Sequence, residues 1–368
     1  MIATFDRDAL LSSLTHAANI TDRRPIQPIL SNILFTLDRD SATLCATDLE
    51  VQITTRVSVQ TDAGGTAFTI PGRKLLDITK ALPEGGSMEF RQDGEKISIR
   101  SGKSRFTLQT LPADQFPFLT IPQPHGGGMC DAEAFRSALS VAAVCMGNND
   151  SRFFLNGAAI EVDGDVLRLV STDGHRLSMM DMSFSPCDWS SAYQGILPRK
   201  AVLELVRLLS GRGGPIQIRM SPTSFVLEHG SFQFACKLID AKYPEYRRVI
   251  PDGHPHKALL NRASLREALQ QVEIMAGDSN SSARLFFHDG QVVFNAHNEA
   301  QEDAEIAMDA EFDGGSLEIS FNVKYLMEGA QMFEADLLRM QLRDGGSSAL
   351  ITPVGQNFPV YVVMPVRS

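Results

Sequence analysis

The chain has 368 residues, 43% of them apolar and 21% charged, ordinary values for a globular protein of two or three domains. No segment approaches the roughly 18 uninterrupted apolar residues of a membrane span. The opening MIATFDRDALL carries charge at once, so a cytoplasmic protein is expected. The formal net charge of −10 excludes a nucleic-acid binder held by an overall basic surface, though not one with a local basic face.

Residues 6–20 place Leu10, Leu14 and Ala17 at helical spacing. Strands follow, with Thr47-Asp48 inside ATLCATDLEVQI, and a second helix begins in PGRKLLDITKAL, with Lys74 near its start. SMEF, KISIR and FTLQTL read as strands, and LPADQFPFL leads into the Pro- and Gly-rich seam TIPQPHGGGMCD at 120–131. The order then starts again. Residues 131–146 predict a helix behind Asp131 as N-cap, with Phe135, Leu139, Ala142 and Met146 on one face. VLRLVSTDGHRL carries Thr172-Asp173, LPRKAVLELVRLL carries Lys200, and GRGG at 211–214 reads as a helix cap and turn. PIQIRM and FQFACKL are strands, LIDAKYPEYRRVIP is the proline-aromatic stretch, and IPDGHPHKALLN at 250–261 is a second seam, where His254 and His256 read as solvated. The third pass has a helix at 262–276 (Leu265, Leu269, Val272, Met275), then QVVFNAHNEAQE, FNVKYLMEGAQMF with Lys324, and VGQNFPVYVVMP.

Thr47, Thr172 and His297 are spaced by 125 residues each time, and Lys74, Lys200 and Lys324 by 126 and 124. Two markers holding one period give three domains of similar fold, at 1–122, 129–250 and 251–368. Each runs helix, strands, helix, strands, which is an α+β layer with antiparallel sheets. The five cysteines (Cys45, Cys130, Cys145, Cys187, Cys236) form no C-x-x-C pair and read as buried reduced thiols. No phosphate loop, dinucleotide fingerprint, H-E-x-x-H or G-x-S-x-G occurs, so no catalytic residue, metal or cofactor is expected. Glu302, Asp303 and Glu305 read as a solvated acidic strand. The Thr-Asp pair, present in two copies, reads as a turn bonding its own backbone. Gly174-His175-Arg176-Leu177 occurs in one copy only.

Over its whole length the chain resembles the bacterial sliding clamps, the beta subunits of DNA polymerase III. RRPIQPILSNILF, ATDLEVQI, SGKSRFTLQTLPADQFP, RFFLNG, STDGHRL, LPRK, YPEYRRVIP, FNVKYL and YVVMPVR carry the resemblance, all in family order. It implies a non-catalytic processivity factor: three clamp domains per chain and two chains head to tail around double-stranded DNA, with helices lining the ring lumen and sheets outside. The six helices hold 11 Lys or Arg against 9 Asp or Glu, a mildly basic lining within an acidic chain. Arg24, Arg73, Asn149, Arg152, Phe153, Arg199 and Lys200 match family positions that touch the DNA backbone without reading sequence. The implied ring contact sets Phe106 and Leu108 of one chain against Ile274 and Met275 of another, with Lys74, Lys103 and Arg105 facing Glu302, Asp303 and Glu305.

The resemblance also implies a groove between domains two and three for short peptides of polymerases, the clamp loader and repair proteins. Matching positions are Leu155 and Thr172, then Gly174, His175, Arg176 and Leu177, then Pro244, Arg248 and Val249. Asn322, Tyr325 and Ser348 follow, and then Val362, Val363, Met364, Pro365, Val366 and Arg367. Apolar members would take a peptide's anchors while Arg, His and backbone groups orient its polar part. The chain departs from the family pattern at Asn280, Gly346 and Ser368. The competing classes are a nucleic-acid enzyme, which no acidic metal cluster or nucleophile–base pair supports, and a small-molecule-binding repeat protein, which the lysine periodicity fits poorly.

Overall fold

The computed structural model describes residues 2–21, 26–62, 64–187, 192–230, 232–276, 281–298 and 300–366. Arg24, Asn280, Arg367 and Ser368 lie outside the described residues. Among the described residues six α-helices fall where the periodicity puts them: α1 (Arg7–Ile20), α2 (Gly72–Ala81), α3 (Ala132–Cys145), α4 (Arg199–Leu209), α5 (Arg262–Glu273) and α6 (Val323–Met332). Side-chain caps satisfy free amides at the starts of α1, α5 and α6. Asp6 accepts from Asp8 and Ala9 before α1, Asn261 from Ser264 before α5, and Asn322 from Tyr325 before α6. Proline precedes α2 and α4 instead. The apolar stripes Leu10/Leu14/Ala17, Phe135/Leu139/Ala142 and Leu265/Leu269/Val272 are buried. α5 ends at Glu273, so Met275 stands just beyond it.

Contacts divide the chain into two compact units, and the middle third contributes to both. The first gathers residues up to Asp131 with Gly214–Leu238. Its five-stranded sheet has the order Gln60–Thr61, Ile2–Asp6, Ser87–Asp93, Lys96–Ser101, Ser104–Gln109. Its nine-stranded sheet runs Ser185–Cys187, Gly126–Asp131, Pro215–Met220, Ser224–His229, Phe232–Lys237, Val51–Ser58, Ser41–Thr47, Asn32–Leu37, Ala67–Pro71. Phe234 pairs with Ile53 across the antiparallel junction of two distant segments. Phe5 and Phe90 from one sheet pack with Phe35 and Phe68 from the other, the last two stacked at 5.1 Å.

The second unit holds α3 to α6 and everything from Ile239 onward. Its nine-stranded sheet runs Tyr193–Pro198, Gly157–Asp163, Val166–Thr172, Arg176–Ser183, Val360–Val363, Ala349–Pro353, Leu337–Leu342, His256–Asn261, Glu311–Phe312. The strand latest in sequence therefore sits in the middle. It pairs Leu177 with Val362 on one side and Leu350 with Val362 on the other. A four-stranded sheet, Asp303–Asp309, Gln291–His297, Ser282–His288, Leu317–Asn322, closes over a core that includes Phe287, Phe294, Phe321 and Tyr361.

GRGG is a turn after α4, with Gly211 and Gly214 at φ 70° and 90° and Arg212 N–H donating to Leu209 O. His254 is not solvated: it is buried, with Nε2 2.8 Å from the Ser348 carbonyl oxygen, and His256 opens a strand beside Phe312. Four cysteines are buried, but Cys187 is exposed. Burial pushes the thiol of Cys45 up to about 11 and those of Cys130 and Cys145 up to about 12, so these three stay protonated and inert at neutral pH.

Candidate functional site

STDGHRL is a hairpin between strands Val166–Thr172 and Arg176–Ser183, and its short side chains replace the missing ladder. Thr172 Oγ1 donates to Arg176 O at 2.6 Å and accepts from Gly174 N–H at 3.1 Å. Asp173 Oδ1 accepts from the amides of His175 and Arg176. Gly174 adopts φ 90°, a conformation that glycine enters without penalty. The other face of the turn is committed to charge. Arg176 Nε donates to Asp173 Oδ2 at 3.0 Å, Nη1 to Glu328 Oε2 at 2.5 Å, and the guanidinium lies 4.3 Å over the ring of Tyr325. Glu328 and Tyr325 come from α6, so this arginine joins the hairpin to that helix. Its side chain is only 9% exposed.

Beside the hairpin lies a cavity of about 290 Å³. Leu155, Thr172, Gly174, His175, Arg176, Leu177, Pro244, Val249, Val362 and Met364 line it, ten of the residues expected at a groove. Phe154, Glu245 and Tyr246 complete the wall with Arg152, a residue the family resemblance assigns to DNA. Leu155, Leu177 and Val362 form the buried floor, while Val249 and Met364 stay about 40% exposed at the mouth. Val363 is elsewhere: neighbours on a strand face opposite sides, and with Val362 in the cavity Val363 goes into the core.

The remaining expected residues surround the cavity without lining it. Tyr325 is on a neighbouring, wider cleft of about 840 Å³ between α3 and α6, which shares Arg152, His175 and Arg176 with the smaller one. Asn322 caps α6, the Ser348 carbonyl meets His254, and Arg248 sits in the 3-10 turn Tyr246–Val249. Past Val363 the chain crosses the rim, Met364 N–H donating to His175 O and Val366 N–H to Ser320 O. Pro365 is carried between those two bonds. Arg152 bridges the rim, with Nη2 2.8 Å from Asp150 Oδ2 and 3.0 Å from the Asp173 carbonyl. That guanidinium holds the Asp150 carboxyl down at about 2.

The residues expected at DNA lie on helix starts and one loop. Arg199 opens α4 and donates to Met146 O, Lys200 is exposed next to it, and Arg73 reaches Thr21 O from α2. Asn149 takes φ 57° in the loop before the half-exposed Phe153. Of the residues expected at a chain–chain contact, Lys103 precedes and Arg105, Phe106 and Leu108 belong to Ser104–Gln109, an edge strand of the first unit. Lys74 is exposed on α2 of that unit. In the second unit Glu302, Asp303 and Glu305 mark the edge strand Asp303–Asp309, and Ile274 is 75% exposed after α5, followed by half-buried Met275. Among the described residues no group of three His, Cys, Asp or Glu is placed to hold a metal ion, and no helix is long and apolar enough to cross a membrane.

Models of the DNA polymerase III beta subunit match the chain in three consecutive parts: the N-terminal domain over residues 1–120, the central domain over 130–245 and the C-terminal domain over 247–367. The beta sliding clamp of Pseudomonas putida is 38% identical over 366 residues, covering 99% of each chain. That of Escherichia coli K12 is 34% identical over 364 residues with the same coverage. A crystal structure of the sliding clamp from Pseudomonas aeruginosa bound to griselimycin superposes with a TM-score of 0.96 at 36% identity, over 100% of both chains.

Proposed function

Since the chain belongs to the family of DNA polymerase III beta subunits, the sliding clamps, we propose that it encircles double-stranded DNA as a head-to-tail ring of two chains. It tethers the replicative polymerase, docks peptide segments of replication and repair proteins, and works in the cytoplasm. It is a non-catalytic subunit. The observation that carries this reading is the match of all three clamp-domain models in order across the chain. The domains are taken at 1–122, 129–250 and 251–368.

Physical features support each part. Lys74, Lys200 and Lys324 recur exposed in the first turn of α2, α4 and α6. With Arg24, Arg73, Asn149, Arg152, Phe153 and Arg199, Lys200 supplies weak, sequence-blind phosphate contacts. A topological tether needs nothing stronger, and tight contacts would oppose sliding. The Ser104–Gln109 edge offers unpaired backbone groups beside Lys103 and Arg105, and the Asp303–Asp309 edge offers the same beside Glu302, Asp303 and Glu305. Two such edges of opposite charge, meeting head to tail between two chains, leave no free edge in a closed ring. The 290 Å³ cavity, apolar at its floor and ringed by Arg152, His175 and Arg176, suits a peptide with one or two apolar anchors.

Loading the protein on nicked circular DNA and then cutting the circle tests the ring. The protein should run off the ends, and retention after cutting overturns the topological reading. For the cavity, griselimycin should bind the unmodified chain and lose affinity by about tenfold or more when Val249→Arg puts a charge in the mouth. Equal affinities overturn the docking reading.

A further inference from the structure

The outer wall of the cavity has little backbone support. Residues 238–255 hold no strand, yet they supply Pro244, Tyr246 and Val249. What ties this segment down is a row of polar side chains across four strands. Gln194, Glu161, Arg168 and Asp181 are successive register partners on Tyr193–Pro198, Gly157–Asp163, Val166–Thr172 and Arg176–Ser183. Arg168 clasps Asp181 through two bonds of 2.6 Å. Glu161, 7% exposed, takes Gln194 Nε2 on Oε1 at 2.7 Å, with Arg168 Nη1 4.0 Å from Oε2. The other donors to Oε2 come from the segment itself: Tyr246 O–H at 2.8 Å and Arg247 Nη2 at 2.7 Å.

We propose that Glu161 is a positioning residue for the cavity, holding the 3-10 turn Tyr246–Val249 and with it the wall made by Pro244, Tyr246 and Val249. A buried carboxylate stripped of these donors would be left under-satisfied, so the turn is held at the carboxylate's expense if it lifts. A second tie acts just before Pro244, where the buried Tyr243 hydroxyl accepts from Thr172 N–H at 3.0 Å. The wall is thereby fixed to the same hairpin that forms the opposite side of the cavity. Preorganising a wall in this way reduces the ordering cost of ligand binding. The inference rests on the reading of the cavity as a docking site.

Calorimetric titration of the full-length chain with griselimycin tests it, at a temperature where circular dichroism shows every variant folded. Glu161→Gln keeps the shape but removes the charge and leaves one acceptor oxygen for the donors of Gln194, Tyr246 and Arg247, and should weaken binding about tenfold. Tyr246→Phe keeps the ring in the wall and removes one bond, for about a threefold loss. Because both act through one contact, the double variant should lose no more than Glu161→Gln alone, whereas general loosening multiplies the two effects. Unchanged affinity in Glu161→Gln, or multiplied losses, overturns the proposal. If Glu161→Gln does not fold, Tyr246→Phe and Arg247→Gln carry the test, and affinities equal to the unmodified chain overturn it. Failure of the unmodified chain to bind, or indifference to Val249→Arg, overturns the docking reading instead.

Discussion

Two hairpins in this chain, at 47–51 and at 172–176, are drawn to one hydrogen-bond plan. In the first, Thr47 Oγ1 donates to Val51 O and accepts from Leu49 N–H, and Asp48 Oδ1 accepts from the amides of Glu50 and Val51. Thr172 and Asp173 repeat each of these bonds. Leu49 even shares the left-handed backbone of Gly174, at φ 74°. At 298 the single Asn side chain gathers the amides of Ala300 and Glu302 in a turn one residue longer. What differs is the cargo. Val51 is buried in the first hairpin, while its counterpart Arg176 is laid across Tyr325 between two carboxylates. A leucine tolerates the third position of the first turn. In the second, a Cβ on Gly174 would sit 2.9 Å from Arg152 Nη1, so glycine there serves the neighbouring rim as well as the backbone. The turn is scaffold, and the site is what one copy hangs on it.

The comparison breaks most visibly at Arg176. Arg176→Ala strands Asp173 and exposes the Tyr325 face, and should lower stability by about 2–3 kcal/mol in urea melts, below a fully buried pair because Glu328 is half exposed. Griselimycin affinity falls with it while the two-chain assembly, read by sedimentation, persists. Next is an exchange at the third position. Gly174→Leu should cost about 2 kcal/mol, from left-handed strain plus displacement of Arg152, whereas Leu49→Gly should move stability by less than about 1 kcal/mol. Equal effects would erase the distinction between the two turns. Thr47→Val and Thr172→Val sharpen it from the other side. Each removes the same two bonds and should cost about 1 kcal/mol, but only the second should alter griselimycin binding. The smallest effect is at the rim. The Asp150 carboxyl, held near 2 by Arg152, contributes stability that is complete above the ordinary Asp value of about 4 and fades as pH falls toward 2. In Arg152→Gln, an NMR carboxyl titration should find Asp150 raised but still below its ordinary value, because the amide of residue 152 goes on donating to Oδ1.

Much of this was legible from one sequence because the chain carries its own control. Repetition exposed Thr-Asp as a turn, helical periodicity located three helices to within a few residues, and the recurring lysine marker located the starts of the other three. Resemblance to a family supplied the groove positions, ten of which the fold gathers around one cavity. The unread part has physical reasons. Tyr246 and Glu245 belong to an irregular segment with no period to read, and their placement depends on a row of side chains from four strands that are distant in sequence. His254 looked solvated in a Pro- and Gly-rich seam because its partner, a backbone carbonyl at Ser348, leaves no mark in composition. Val362 and Val363 are chemically alike, and only the strand register sends one to the cavity and the other to the core.

The strand Val360–Val363 fills the centre of its sheet although its neighbours precede it in sequence. Until it threads between Arg176–Ser183 and Ala349–Pro353, the two halves of that sheet present facing, unsatisfied edges, and the cavity lacks Val362 and Met364. The strand's pairing with Arg176–Ser183 is a long-range contact of the kind that slows folding, whereas Ala349–Pro353 is its neighbour in sequence. That pairing also makes the cavity a product of distant parts of the chain: its lining runs from Arg152 to Met364, so a chain in which this strand is unpaired has no complete cavity.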